Sequence, residues 1–71
     1  MITIQQAEKF ILNLMQDHEV KIDIKCGYIG IDYNYSEPTY SVVSNSCKLE
    51  DIITELISKY EFVFDKYLEV Q

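Results

Sequence analysis

One histidine, two cysteines and a scatter of carboxylates are the residues of this chain with the means to do chemistry. His18 suits general acid–base work, which requires a partner within hydrogen-bond reach, and the sequence names none. It falls at the end of a helical pattern, where an imidazole interacts with the dipole or caps the core. Cys47 stands at a helix start, a position that can activate a thiol as a nucleophile. With no second histidine and no paired motif, it reads as a buried or cap-adjacent thiol. Cys26, beside Gly27, reads as a turn residue. A zinc site from His18, Cys26 and Cys47 lacks a fourth ligand and any recognised ligand spacing. Gly27 and Gly30 are not followed by the Lys and Ser/Thr of a phosphate loop. The carboxylates form no obvious catalytic pair. Neither an enzyme nor a metal or cofactor site is expected.

The elements that position these residues are legible in the spacing. Thr3 is a good N-cap, Gln6 takes the capping-box position, and Ile2 with Ala7 can staple the entry. Ile4, Ala7, Ile11, Leu14, Met15 and His18 recur at helical spacing, with Phe10 at the margin, which predicts an amphipathic helix from Ile4 to Asp17.

The period then changes to two. Val20, Ile22 and Ile24 alternate with Lys21, Asp23 and Lys25, and Ile29, Ile31, Tyr33 and Tyr35 alternate with Tyr28, Gly30, Asp32 and Asn34. A turn at Cys26-Gly27 sets Ile24 against Ile29, Ile22 against Ile31 and Val20 against Tyr33. The other face then pairs Lys21 with Asp32 and Lys25 with Tyr28, and leaves Gly30 opposite Asp23. Ser36-Glu37-Pro38-Thr39 reads as the next turn, placing Tyr35 against Tyr40 and Tyr33 against Val42. That register sends Tyr33, Tyr35 and Tyr40 to the covered face.

Asn45, Ser46 and Cys47 are cap candidates for a helix whose stripe is Leu49, Ile52, Ile53, Leu56, Ile57 and Tyr60. The stripe can run on through Val63, Phe64, Tyr67 and Leu68 as one long helix, or bend at Tyr60–Phe64 into a second, shorter one. The order α-β-β-β-α predicts a single α+β domain over residues 1–71, a three-stranded antiparallel meander with both helices on one face. Lys21, Asp23, Lys25, Tyr28, Asp32, Asn34, Ser41 and Val43 would occupy the open face.

Twelve acidic residues against six lysines and no arginine leave a net charge of -6. Such a field repels phosphate, so direct DNA or RNA binding is not expected, whereas a protein partner with a basic surface is favoured. A charge of about 2 to 8 units is also what solubility asks of a small domain. No apolar run approaches the ~20 residues of a membrane span, and no signal peptide is visible, so the expected compartment is the cytoplasm with reduced thiols.

The surface offers two candidate contact patches. Glu61, Asp65 and Glu69 recur at i, i+4, so they are expected to form an acidic row with about 6 Å between neighbours. Such a row is a solvated face or an imitation of nucleic acid phosphates. Phe62 projects from the same helix away from the stripe as a candidate anchor, and a bend would return it to the core. Tyr28 and Val43, with Asp32 nearby, form the other patch on the open sheet face.

The Met1–Asp17 helix, the Val20–Ser44 meander with its Tyr40-Ser41-Val42-Val43-Ser44 edge and the Leu49–Tyr60 helix resemble small, acidic, phage-encoded inhibitors of the anti-CRISPR type. One group of these has the same helix–meander–helix order and uses acidic residues to occupy the DNA-reading cleft of the RNA-guided nuclease. The resemblance covers most of the chain as architecture and carries over no functional residue; the dense acidic loops and tail of that group are missing. It implies an inhibitor of a nucleic-acid-processing protein, and a nucleic acid mimic if the acidic row forms. The alternatives are an immunity protein or antitoxin that neutralises a toxin, and a homodimeric structural module using the edge strand Thr39–Ser44 or the sheet face.

Overall fold

The computed structural model describes residues 2–68. Helix α1 runs Ile4–Asp17 and starts at the expected capping box: the Thr3 side chain accepts from the Gln6 N–H at 3.1 Å, and Gln6 Oε1 accepts from the Thr3 N–H at 2.8 Å. The stripe is rotated from its expected centre. Phe10 is fully buried with Ala7 and Leu14, whereas Met15 and Ile4 lie exposed on the flank.

Strands β1 (Val20–Asp23), β2 (Tyr28–Asn34) and β3 (Glu37–Val43) form the antiparallel meander β1-β2-β3. Its first register differs from expectation by two residues: Val20 faces Ile31, Ile22 faces Ile29, Lys21 faces Gly30 and Asp23 faces Tyr28. The cause is a 3₁₀ turn at Ile24–Cys26 that takes these residues out of the strand. Asp23 Oδ1 accepts from the Cys26 N–H at 3.3 Å, and Gly27 ends the turn at φ +68, a conformation that costs glycine nothing. Because side chains alternate with period two, the shift leaves every β1 residue on its expected face.

The second turn also differs. Asn34 pairs with Glu37, so the loop is only Tyr35-Ser36, and Pro38 lies within β3 opposite Tyr33. Proline is tolerated there because β3 is an edge strand. Tyr35 sits at the hairpin tip with φ +63 and is 98% exposed, not core.

Tyr33 leaves the covered face too. Asp32 has φ +56, which reverses the side-chain alternation after Ile31. The Tyr33 ring crosses Gly30 on the open face, its hydroxyl meets that of Tyr28, and Lys21 Nζ stands 4.1 Å above its centroid. Tyr40 remains under the helices as expected, edge-to-face on Tyr60 and Phe64 at 5.0 Å from each.

Helix α2 spans Leu49–Lys59. Its N-cap is Lys48, whose side chain makes no cap bond. Ser46 serves instead, accepting the Lys48 N–H at 3.1 Å and donating to Asp51 Oδ2 at 2.7 Å. Ile52, Ile53 and Leu56 join Phe10, Leu14, Ile29, Ile31 and Phe64 as the fully buried side chains between helices and sheet. Each such burial stabilises the fold by about 1.5–3 kcal/mol. The long-helix alternative does not occur: α2 ends at Lys59, turns follow, and a second 3₁₀ turn spans Asp65–Tyr67. Among the described residues no helix is long and apolar enough to cross a membrane.

Candidate protein-contact surface

The C-terminal segment is shaped by what its aromatic residues reach. Tyr60 ends α2 by turning to β3, where its hydroxyl accepts the Ser41 N–H at 3.0 Å and lies 3.0 Å from the Ser41 carbonyl, as a donor to it. Lys59 Nζ donates to the same carbonyl at 2.9 Å. Phe64 plunges into the core, edge-to-face on Tyr60 and on His18 with centroids 6.0 and 5.8 Å apart. Glu61, Phe62 and Val63 must bridge two inward-pointing rings in three residues, and the Val63 N–H closes the turn on the Tyr60 carbonyl at 3.0 Å. Phe62 is the residue turned outward: its φ is +71 and it is 80% exposed. A bend was expected to return this ring to the core. The bend does the opposite, because Phe64 takes the interior position.

A left-handed backbone at a phenylalanine is a conformation that persists only where its surroundings over-determine it. Here the surroundings are the Tyr60 and Phe64 anchors on one side and a hydrogen-bonded cluster on the other. His18, the C-cap of α1, has Nδ1 2.7 Å from Asp32 Oδ2 and Nε2 3.0 Å from the Tyr67 hydroxyl. Tyr67 donates in turn to Asp17 Oδ2 at 3.0 Å, and Asn13 Nδ2 donates to the Tyr67 carbonyl at 3.2 Å. Burial first, and the bond to Asp17 second, push the Tyr67 phenol above its ordinary value of 10.0. Both ring nitrogens of His18 are thus engaged with internal partners. The cluster ties the end of α1, the kink in β2 and the last 3₁₀ turn into one unit.

Asp32, expected as a surface contact opposite Lys21, belongs to this cluster instead. Its backbone N–H donates to the Glu19 carbonyl at 2.8 Å, its Oδ1 accepts the Glu19 N–H at 3.3 Å, and its carbonyl accepts from Thr39 Oγ1 at 2.8 Å. These bonds hold the positive φ that moves Tyr33. None was readable in advance, since the partners, His18 and Glu19 before β1 and Thr39 in β3, are remote in sequence. The only sequence signal was an aspartate, a residue that tolerates the left-handed region, within a strand pattern.

The acidic row does not form. Glu61 lies in the turn and Asp65 in the 3₁₀ turn, so helical i, i+4 spacing does not relate them, and Glu69 lies outside the described residues. Glu61 and Asp65 still flank Phe62 as exposed carboxylates, and neither is ion-paired among the described residues. The nearby lysines meet other groups: Lys59 Nζ donates to the Ser41 carbonyl, and Lys66 Nζ stands 5.3 Å from the Tyr67 ring centroid. The result is an outward phenyl ring in a short segment that also carries two exposed carboxylates.

Tyr28 and Val43 are brought together as expected, paired across β2 and β3, with Val43 70% exposed and Tyr28 half-buried under its contact with Tyr33. Among the described residues no group of three or more His, Cys, Asp or Glu could hold a metal ion. Comparison with family models, curated proteins and solved structures finds no match to this chain.

Proposed function

We propose that this chain acts by protein–protein contact, as an inhibitor-type ligand that seats Phe62 in an apolar recess whose rim is basic. The single observation that carries this reading is the 80% exposed phenyl ring at φ +71, in a segment whose sequence neighbours include the exposed Glu61 and Asp65. A rigid aromatic anchor with a charged rim is the usual form of an energetic hot spot. The net charge of -6 favours a partner that presents lysine and arginine, as proteins that process nucleic acid do. The architecture-level resemblance to small phage-encoded anti-CRISPR inhibitors accords with the same partner class. Imitation of a phosphate strand is not part of the reading, because the carboxylates are not aligned as a row. A homodimer through the β3 edge is disfavoured, because Tyr60 and Lys59 occupy the outward backbone groups of Ser41 at its centre.

The test is binding to basic nucleic-acid-processing proteins, titrated at low and high salt. Phe62→Ala should weaken binding by about 2 kcal/mol or more, and added salt should weaken it further by slowing association. A complex indifferent to Phe62→Ala overturns the assignment of the surface, and one indifferent to salt removes the basic rim.

A further inference from the structure

Cys26 closes the 3₁₀ turn ahead of β2, and Cys47 lies in the loop ahead of α2; both are exposed and both are free thiols. They are distant in sequence, yet the residues on either side of Cys26 touch the Cys47 loop. Before it, the Lys25 carbonyl accepts from Cys47 Sγ at 3.2 Å. After it, the Gly27 carbonyl accepts the Ser44 N–H at 2.7 Å. A Cβ placed on Gly27 would overlap the Ser44 carbonyl oxygen and come within 2.8 Å of that of Ser46. The two loops therefore meet backbone to backbone, with the Cys47 sulfur beside the peptide that carries Cys26.

The geometry assigns to Cys26 and Cys47 an intramolecular disulfide that ties the turn before β2 to the loop before α2. Disulfides need α-carbons about 4.4–6.8 Å apart, and the Cys47 sulfur already rests against the peptide that carries Cys26. The oxidant is a small-molecule disulfide of the glutathione class. A Cys47 thiolate attacks one sulfur of it, forms a mixed disulfide and expels one thiolate. The Cys26 thiolate then attacks the Cys47 sulfur, forms the internal bond and expels the second thiolate. The protein loses two electrons and two protons, and the oxidant leaves as two thiols. Asp23, whose carboxylate accepts from the Cys26 N–H, holds the Cys26 thiol above its ordinary 9.0 by hydrogen bonding first and by charge second, so closure accelerates as pH rises.

The full-length chain, incubated with oxidised glutathione and analysed by intact mass and thermal unfolding, tests this. The expected product is monomeric, lighter by one pair of hydrogens and free of glutathione. Its unfolding midpoint rises by roughly 10 °C, since the crosslink restrains the unfolded chain. Reductant should reverse the shift, and Cys26→Ser and Cys47→Ser should each abolish it while remaining folded, because both positions are exposed. Products that are only glutathione adducts or only disulfide-linked dimers overturn the assignment, as does a closed species whose midpoint does not rise.

Discussion

The Asp32 carboxylate lies 2.7 Å from His18 Nδ1, and this one contact joins the C-cap of α1 to the residue that kinks β2. Asp32 is thereby fixed at four points, through its N–H, its carbonyl and both carboxylate oxygens. Asp32→Ala keeps the left-handed backbone demand and loses the side-chain bonds, so it should destabilise the fold by about 2–3 kcal/mol in urea unfolding. Asp32→Asn tolerates the backbone and should cost about half as much. Equal losses for the two variants would show that the carboxylate contact with His18, not the backbone kink, carries the effect.

Phe62 predicts an opposition between stability and binding. Replacing it with glycine relieves the positive φ and exposes no new cavity, because the ring is outside the core. Phe62→Gly should raise unfolding stability by about 1 kcal/mol while abolishing partner binding. A less stable Phe62→Gly protein would mean that the ring packs where the fold needs it.

Alkaline titration should report the Tyr28–Tyr33 pair. The Tyr33 phenol is pushed up from 10.0 to about 12, chiefly by its hydrogen bond with Tyr28, then by burial and by the negative charge of Glu19. The unfolded chain gives up this proton near pH 10 and the folded one holds it to about 12, so the unfolded state binds fewer protons between them. The pair's contribution is complete below pH 10 and is lost as pH rises through about 12. Phenolate absorbance should show Tyr33 ionising nearer 10 in Tyr28→Phe. No downward movement in that variant would remove the hydrogen bond as the cause.

Tyr60→Phe keeps the ring between Tyr40 and Phe64 but uncovers the Ser41 N–H and leaves its carbonyl to Lys59 alone. Exposed strand edges template pairing with another chain. Sedimentation should therefore show concentration-dependent association of Tyr60→Phe where the parent chain shows less. Identical profiles would mean that Lys59 alone protects the edge.

Much of the fold could be read from spacing. The Thr3–Gln6 capping box placed the start of α1, and the Leu49–Tyr60 stripe placed α2, because both signals are local. The face of each β1 residue survived a wrong register, since the displacement was an even number of residues. Tyr33 and Tyr35 were misplaced because their orientation depends on positive φ values at Asp32 and at Tyr35 itself, the first of them held by partners remote in sequence. Val63, Phe64, Tyr67 and Leu68 fit a continuing helix as well as a turn followed by one 3₁₀ turn, and long-range packing of Phe64 against Tyr40 and His18 decided between them. Phe62 was expected to be exposed on the assumption of a straight helix, and is exposed for a different reason.

The Tyr60 hydroxyl on Ser41 also gives the sheet a direction. A sheet open on both sides is a link, able to pass strand pairing from one molecule to the next without end. With the middle of β3 occupied, β1 is left as the open side of this three-stranded sheet. Copies that paired through β1 would each present an occupied β3 edge on the far side. The meander is built as a terminus, and a fibre would first have to dislodge the Tyr60 phenol and the Lys59 ammonium.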